Sequence, residues 1–337
     1  MTERQAFGVL LMAYGGPLSL DEVEPYYRHI LKGRQPSPEM LGALIKRYEA
    51  IGGRSPLPDI TFSVARQLTQ KIKEDPTLSP GFQGVFVGMK HSSPFIRDAV
   101  KEMSDRVQKA MGVVLAPHYS RRSIGEYLHY TISALQELGN PFSITFVLSW
   151  ATHPDLISLL ASLIEEKLNS WTDGKPHLLF TAHSLPETIL AEGDPYPDEL
   201  IATCKEIVKK WNDLDWSFAY QSASGENWLG PDILECLAEL KNRQVRSVLV
   251  APIGFLSQHL EVLYDIDIEA KEEADRLGLH LDRIRMPDDD PMLISALHAI
   301  VREAGTGCSD HLALWISDSG IDPTEAVKRI RMKTKHQ

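Results

Sequence analysis

Short apolar runs alternate with segments of helical periodicity along this chain, and that alternation restricts the fold more than any other feature. Each run has about six residues and ends in Gly, Pro or a polar residue, as buried strands do. Apolar strands separated by helices predict a parallel sheet with helices on both faces, an α/β fold. The predicted strands are residues 7–13, 84–89, 112–117, 143–148, 177–182, 217–221 and 245–252.

The segments between these runs have the apolar spacing of amphipathic helices. Two of them open with Pro followed by acidic residues, which favours a helix N-terminus. Gly52-Gly53 is typical of a helix end. The predicted helices are residues 21–31, 38–51, 59–74, 94–110, 123–139, 156–171, 197–214, 231–242 and 292–304, with one more that begins at Leu260.

The pattern restarts in the second half of the chain, where LLFTAHSLP resembles the earlier LLMAYGGP. We therefore predict two similar doubly wound, Rossmann-like domains, at residues 1–145 and 146–304, and a more polar C-terminal extension at 305–337. Ligands of such sheets bind outside the carboxyl ends of the strands. Tyr14, His183 and the approach to Glu261 are expected at ends of that kind.

Charge and hydropathy exclude several classes of protein. The formal net charge of −11 argues against nucleic-acid binding, which needs a basic surface. No apolar run reaches the roughly 18 residues of a membrane span, and the N-terminus has no signal-peptide pattern. We expect a cytoplasmic protein without a membrane span.

The three cysteines are far apart in the chain and odd in number. Cys204, Cys236 and Cys308 predict neither a disulfide framework nor a CxxC metal site. A cluster that needs four thiolates cannot be built from this chain alone, so no iron–sulfur cluster is expected.

The segment at residues 258–272 reads QHLEVLYDIDIEAKE and follows a predicted strand. On a helix that begins at Leu260, Glu261, Asp265 and Glu269 are spaced at i, i+4 and i+8 and form one row. The row could be a solvated acidic surface. It could also be a series of carboxylates that handles a cation or protons, with Glu261 at its inner end. His259 does not decide between the two interpretations.

His183 directly follows a predicted buried strand, which supports a functional role about as well as a structural one. Paired with Glu261 it would give a mixed nitrogen and oxygen site, able to bind a divalent transition metal or to accept protons. Serine chemistry at Ser184 is not supported, because no G-x-S-x-G motif surrounds it.

Two segments combine basic and hydroxyl side chains in a way that suits carboxylate or phosphate groups. One contains Arg47-Tyr48 and continues to Ser55, and the other is HYSRRS at residues 118–123, which includes Arg121. Tyr14, next to two glycines, adds an aromatic hydroxyl on a loop that a ligand can approach closely. Each of these segments is also compatible with an ordinary turn or helix end.

Taken together, seven motifs resemble the ferrochelatase family, in order and spacing, over residues 6–304. The likeness is closest to the soluble, monomeric bacterial type that inserts ferrous iron into coproporphyrin III. The motifs are YGGP at 14–17, RYEAIGG at 47–53, SPL at 55–57, TAHSLP at 181–186, GDPY at 193–196, WLGP at 228–231 and HLEVLYD at 259–265.

The resemblance implies two similar domains with a porphyrin in the cleft between them. His183 and Glu261 match the pair that binds iron and takes the pyrrole protons, and Tyr14 matches a residue on the opposite face that can ligate iron in the product. Asp265 and Glu269 match outer carboxylates, an entry route or a secondary divalent cation site. Residues that match contacts to the porphyrin or its propionates are Arg47, Tyr48, Ser55 and Tyr127.

The resemblance also implies that Fe²⁺ is a substrate, that no cofactor is permanently bound, and that the protein is a monomer with transient contact to an iron donor or a later enzyme of heme synthesis. Leu31-Lys32 stands where some relatives carry paired arginines, so Lys32 is the candidate propionate contact there, and Arg121-Arg122 could compensate. The alternatives are protoporphyrin IX as substrate, cobalt insertion into a sirohydrochlorin-type ring, and a non-catalytic tetrapyrrole or metal carrier.

Overall fold

A computed structural model describes residues 5–172, 174–306 and 313–316 of the chain. It contains two sheets, ordered β2-β1-β3-β4-β9 and β6-β5-β7-β8. All strand pairs are parallel except β9, which runs antiparallel to β4. The predicted α/β class with two doubly wound sheets is confirmed. The strands are β1 Phe7–Ala13, β2 Phe82–Met89, β3 Lys109–Val114, β4 Ser143–Val147, β5 His177–His183, β6 Trp216–Gln221, β7 Ser247–Pro252, β8 His280–Arg283 and β9 Ala313–Ile316.

Helices connect successive strands, as parallel pairing requires. In the part of the chain that the structure covers, none of them is long and apolar enough to cross a membrane. A 3₁₀ turn at Leu20–Glu22 and a π-helix at Asp265–Ala270 complete the set. The α-helices are α1 Val23–Ile30, α2 Pro38–Ala50, α3 Leu57–Glu74, α4 Ile96–Ser104, α5 Ile124–Glu137, α6 Pro154–Asn169, α7 Thr188–Glu192, α8 Tyr196–Val208, α9 Ile233–Asn242, α10 Leu260–Leu263, α11 Lys271–Leu277 and α12 Pro291–Thr306.

The central strands are buried on both faces. Along β1, Val9 and Leu11 pack into one apolar cluster, whereas Leu10 and Met12 pack into another, together with α4 and α5. The cluster that contains Val9 also contains Phe180 of β5 and buried residues of the helices α3, α6, α8 and α12. One face of each sheet therefore packs on a shared helical layer. Each fully buried Leu or Met contributes about 1.5–3 kcal/mol.

The elements differ from the predicted ones in several places. The predicted helix at 94–110 ends at Ser104, because the backbone N–H groups of Gln108 and Lys109 donate to the carbonyl of Ala6 and bring the chain into β3. The apolar spacing through Val107 reflects core packing at the helix exit. The short β8 and β9 were not predicted at all. Cys308 lies outside the described residues.

Two carboxylates connect the second half of the chain to loops of the first half. They are Glu199, which lies on α8, and Asp194, which lies just before that helix. Glu199 Oε2 accepts a hydrogen bond from the backbone N–H of Tyr119 at 2.7 Å and one from Ser149 Oγ at 2.9 Å. Asp194 Oδ2 accepts from Arg121 N at 2.7 Å and from Ser120 Oγ at 3.0 Å. Burial raises the pKa of Glu199 to about 8, despite these hydrogen bonds. The loop that follows β3 is thus fixed from both sides.

We expect Glu199→Gln to stabilise the protein. The folded state raises the pKa of this acid above its unfolded value. The contribution of Glu199 to wild-type stability is therefore fully present below about pH 4.5 and is lost as pH rises towards about 8. An amide oxygen can accept both hydrogen bonds and does not ionise. The free energy of unfolding should rise by about 2 kcal/mol near neutral pH and by much less at about pH 5.

Urea unfolding of both proteins at the two pH values measures this difference. Glu206→Gln, at a carboxylate on the same helix that is 41% exposed and pairs with Lys209, is the control and should show little change. A gain from Glu199→Gln that does not depend on pH would contradict the assignment.

Candidate active site

A cavity of about 310 Å³ lies where the carboxyl ends of strands from both sheets face each other. The ends of β1, β2 and β3 supply residues on one side, and β5 and the segment after β7 supply residues on the other. Its polar and charged lining side chains are Tyr14, Lys32, Lys90, His91, His118, Arg122, Ser123, Glu126, Tyr127, Tyr130, His183, Tyr196, Ser257, His259 and Glu261.

Close backbone approach at Gly254 allows the segment after β7 to cross the end of β5. A Cβ atom at this position would stand 2.6 Å from the Cβ of Ala182, which real side chains do not tolerate. The crossing brings His259 and Glu261 to the wall that His183 also lines. A glycine at this position is therefore required for His183 and Glu261 to line one cavity.

His183 lies at the end of β5 and lines the cavity with Glu261. Its Nδ1 is hydrogen-bonded to the backbone oxygen of Ser184, which makes Nδ1 the protonated nitrogen and leaves the lone pair on Nε2. The hydroxyl of Tyr196 donates to the carbonyl of His183 at 3.0 Å and fixes the strand end. The ring therefore has a defined tautomer with one basic nitrogen.

Glu261 forms an ion pair with His259, at 2.8 Å between Oε2 and Nε2. The Nδ1 of His259 is hydrogen-bonded to the backbone oxygen of Ser257 at 2.9 Å, and its ring packs 4.4 Å from that of Phe255. Burial alone would raise the pKa of Glu261, but the charge and hydrogen bond of His259 outweigh burial and hold this pKa at about 2. Burial by itself would lower the pKa of His259, but the charge and hydrogen bond of Glu261 outweigh burial and raise this pKa.

The predicted row of three carboxylates is not continuous. After α10 the chain forms a π-helix, in which the N–H groups of Ile268 and Glu269 both donate to the carbonyl of Tyr264. Asp265 is buried, and its oxygens accept from the Arg47 guanidinium and the Ser222 hydroxyl. Glu269 is exposed to solvent. The extra residue per turn separates side chains that an α-helix would align.

The opposite wall is built around a buried lysine. Lys90 follows β2, its side chain is 5% exposed, and its ammonium lies 5.3 Å from the ring centroids of both Tyr14 and Tyr127. Its ammonium forms an ion pair with Glu126. The ring of His91 packs 4.5 Å from that of Tyr14. Burial, followed by the charge of Lys90, lowers the pKa of His91 to about 3, so this ring is neutral.

Tyr14, Lys32, Tyr127, His183 and Glu261 all line the cavity. Burial, followed by the charge of Glu261, raises the pKa of Tyr14 above its usual range, which keeps its hydroxyl protonated.

Four other candidate residues, one of them Arg121, do not line the cavity. Arg47 pairs with Asp265 and covers the ring of Tyr264 at 4.5 Å. Tyr48 is buried edge-on against Tyr26, and the buried Ser55 accepts from the backbone N–H of Leu57 at 3.3 Å.

Arg121 stands behind the wall as well, with its guanidinium 3.8 Å from Glu192. Its neighbour Arg122 lines the cavity.

Sequence reasoning missed several lining residues, above all Lys90, His91, Glu126 and His259. Lys90 and His91 directly follow a predicted strand, the criterion that selected Tyr14 and His183. His259 stands two residues before Glu261, but its position does not decide between the two interpretations of the carboxylate row. Glu126 has no comparable local signal, since its role depends on lysines that are remote in sequence.

Comparison with known structures identifies the fold first. The structure of SirB from Bacillus subtilis with Fe3+ aligns with a TM-score of 0.59 at 9% identity, covering 91% of this chain and 99% of that one. A second structure of SirB is described as a sirohydrochlorin chelatase in complex with cobalt. The fold is therefore the two-domain α/β fold of chelatases.

The family follows from sequence. The Ferrochelatase family model matches residues 6–305. The ferrochelatase of Herpetosiphon aurantiacus is 44% identical over 299 residues, covering 87% of this chain and 97% of the relative. The coproporphyrin III ferrochelatase of a Geobacillus species is 40% identical over 305 residues, covering 88% and 97%. The chain belongs to the ferrochelatase family, enzymes that insert a metal into a porphyrin.

We expect His259→Gln to raise the pKa of Glu261. The substitution removes the opposite charge that offsets burial, and such a loss shifts a carboxyl pKa by about one unit or more. Infrared difference spectra recorded during a pH titration measure the carboxylate band. Glu261→Gln, which deletes that band, identifies it. A band that titrates at the same pH in wild type and His259→Gln would contradict the pairing.

Proposed function

We propose that this protein inserts ferrous iron into coproporphyrin III to form coproheme, with His183 and Glu261 as the catalytic pair. The observation that carries the proposal is that a basic imidazole nitrogen and a charged carboxylate line one cavity, together with Tyr14. Nitrogen and oxygen donors of this kind suit a divalent transition metal, which is the substrate here.

The two residues have different proton chemistry. With its pKa held at about 2, Glu261 is a weak proton acceptor but a permanent anion that attracts a cation. We assign to it the capture of Fe²⁺ beside the ring. The Nε2 of His183 then accepts a pyrrole proton as a nitrogen–iron bond forms. Metal insertion releases two protons in all, and the second passes to solvent.

A site with few metal ligands suits a protein that passes its metal on to a porphyrin. Among the described residues, no three His, Cys, Asp or Glu side chains are grouped as a metal cage. A substrate ion must leave the protein for the porphyrin, so a two-residue contact with retained water is preferable to a closed site. That no cofactor is permanently bound stays a prediction. A secondary cation at Asp265 and Glu269 stays a prediction, and it would have to compete with Arg47 for Asp265.

Coproporphyrin is favoured over protoporphyrin IX by the cations of the wall and by the name of the Geobacillus relative. Coproporphyrin carries four propionates and protoporphyrin two, and the ammonium and guanidinium groups of Lys32, Lys90 and Arg122 line the cavity. Protoporphyrin IX is the nearest alternative, and a non-catalytic tetrapyrrole carrier is the alternative of another class. A monomeric state, a cytoplasmic location and transient contact with an iron donor or a later enzyme of heme synthesis stay predictions.

Anaerobic mixing of Fe²⁺ and coproporphyrin III with the protein should abolish porphyrin fluorescence with multiple turnovers. His183→Ala and Glu261→Gln should each lower kcat by about a hundredfold or more, while the porphyrin Kd changes little, because they act in proton transfer and metal capture.

Glu272→Gln, at an exposed carboxylate of α11, is the matched control and should keep wild-type kcat. A carrier would bind coproporphyrin without turnover, and its binding would persist in both variants. Faster turnover with protoporphyrin IX would replace the proposed substrate and leave the reaction type intact.

Adjacent arginines give a test of substrate contact. Arg122 lines the cavity and Arg121 does not, although Arg122 also pairs with Glu192 at 2.7 Å. We expect Arg122→Ala to raise the KM for coproporphyrin by about threefold to tenfold, the range of one charged hydrogen bond near a surface. Arg121→Ala should change it by less. Equal effects of the two variants in steady-state assays would contradict the assignment of Arg122.

A further inference from the structure

We propose that Glu126 competes with a porphyrin propionate for the ammonium groups of Lys32 and Lys90, and so weakens the binding of highly carboxylated porphyrins. The inference rests on the proposed function and adds to it a residue that sets substrate preference. Glu126 lies in the first turn of α5 and lines the cavity with both lysines.

The geometry is that of a carboxylate held between two cations. Lys90 Nζ contacts Oε2 of Glu126, and Lys32 Nζ lies 3.8 Å from Oε1. The lysines come from different segments, Lys90 after β2 and Lys32 after α1. Two ammonium groups that converge on one carboxylate form a site for a carboxylate, and here the protein supplies its own.

The two contacts differ in how easily they can be exchanged. The Lys32 side chain is 74% exposed and its contact is at the limit of an ion pair. Exposed pairs of this kind contribute little, because water and salt screen them. Lys90 is 5% exposed and packs between two aromatic rings, so it stays in place and keeps its charge near the cavity. A propionate that enters the cavity can therefore take Lys32 from Glu126.

The negative charge of Glu126 also acts on the substrate directly. A propionate that reaches Lys32 comes within a few ångströms of Glu126, where two like charges repel each other, more strongly near a protein wall than in bulk water. Neutralising Glu126 removes the repulsion and frees Lys32 for the substrate. Neither effect would change the binding of a porphyrin without carboxylates.

The test compares coproporphyrin III with its tetramethyl ester, in the same detergent, as substrates for metal insertion. Glu126→Gln keeps an amide oxygen for Lys90 and removes the charge. It should lower the KM for coproporphyrin by about threefold or more, on the scale of an exposed to half-buried ion pair, and leave the KM for the ester unchanged. Adding Lys32→Gln to Glu126→Gln should cancel most of the gain.

Glu137→Gln is the matched control, at the last residue of the same helix and paired with Arg97 at 2.8 Å. It makes the same charge change roughly 16 Å away along α5 and should alter neither KM. If Glu126→Gln does not fold, Glu126→Asp replaces it. The shorter side chain withdraws the carboxylate from Lys32, so the KM for coproporphyrin should still fall, by less.

An unchanged or higher KM for coproporphyrin, or an equal change for the ester, overturns the role of Glu126. Failure of the wild-type protein to metallate coproporphyrin III is a different result. It would remove the proposed function itself, so the wild-type protein is assayed before any variant is compared.

Discussion

Parallel strand pairing is the constraint on which the rest of this structure depends. In each sheet the parallel strands have their carboxyl ends at the same edge, and the two sheets pack on one shared helical layer. Polar side chains that follow these strands therefore converge, although they are far apart in sequence. Tyr14 after β1, Lys90 after β2 and His183 at the end of β5 meet in this way around one cavity.

Charges in the cavity wall are compensated in pairs. Glu261 faces His259, Lys90 faces Glu126 and Arg122 faces Glu192. Burying one of these ions without its partner would cost several kcal/mol. The pairing also sets the chemistry, because it holds Glu261 as an anion, whereas burial leaves His91 neutral. A substrate or a metal that enters the cavity must exchange partners with groups that are already paired.

Periodicity was a reliable guide where burial alone decides structure. The strand predicted at residues 7–13 has the observed bounds, and His183, at the end of a predicted strand, lines the cavity. Periodicity failed at residues 105–110, where core packing at a helix exit has helical spacing without a helix. It failed again after Tyr264, because a π-helix and an α-helix share the same local pattern and differ by one residue per turn. Lys90 could have been found by applying the strand-end criterion to β2.

The sequence by itself determined the order of the seven predicted strands and the helices between them, the parallel arrangement of those strands and the residues that stand at their ends. These follow from local apolar patterns and from steric rules that act over a few residues. Only the tertiary structure decided which charges pair. The contact of Arg47 with Asp265 spans 218 residues, and nothing in the segment at 258–272 indicates that the guanidinium takes this carboxylate and not Glu261 or Glu269. Electrostatic partners are chosen by distance in space, and that distance exists only after the two sheets have packed together.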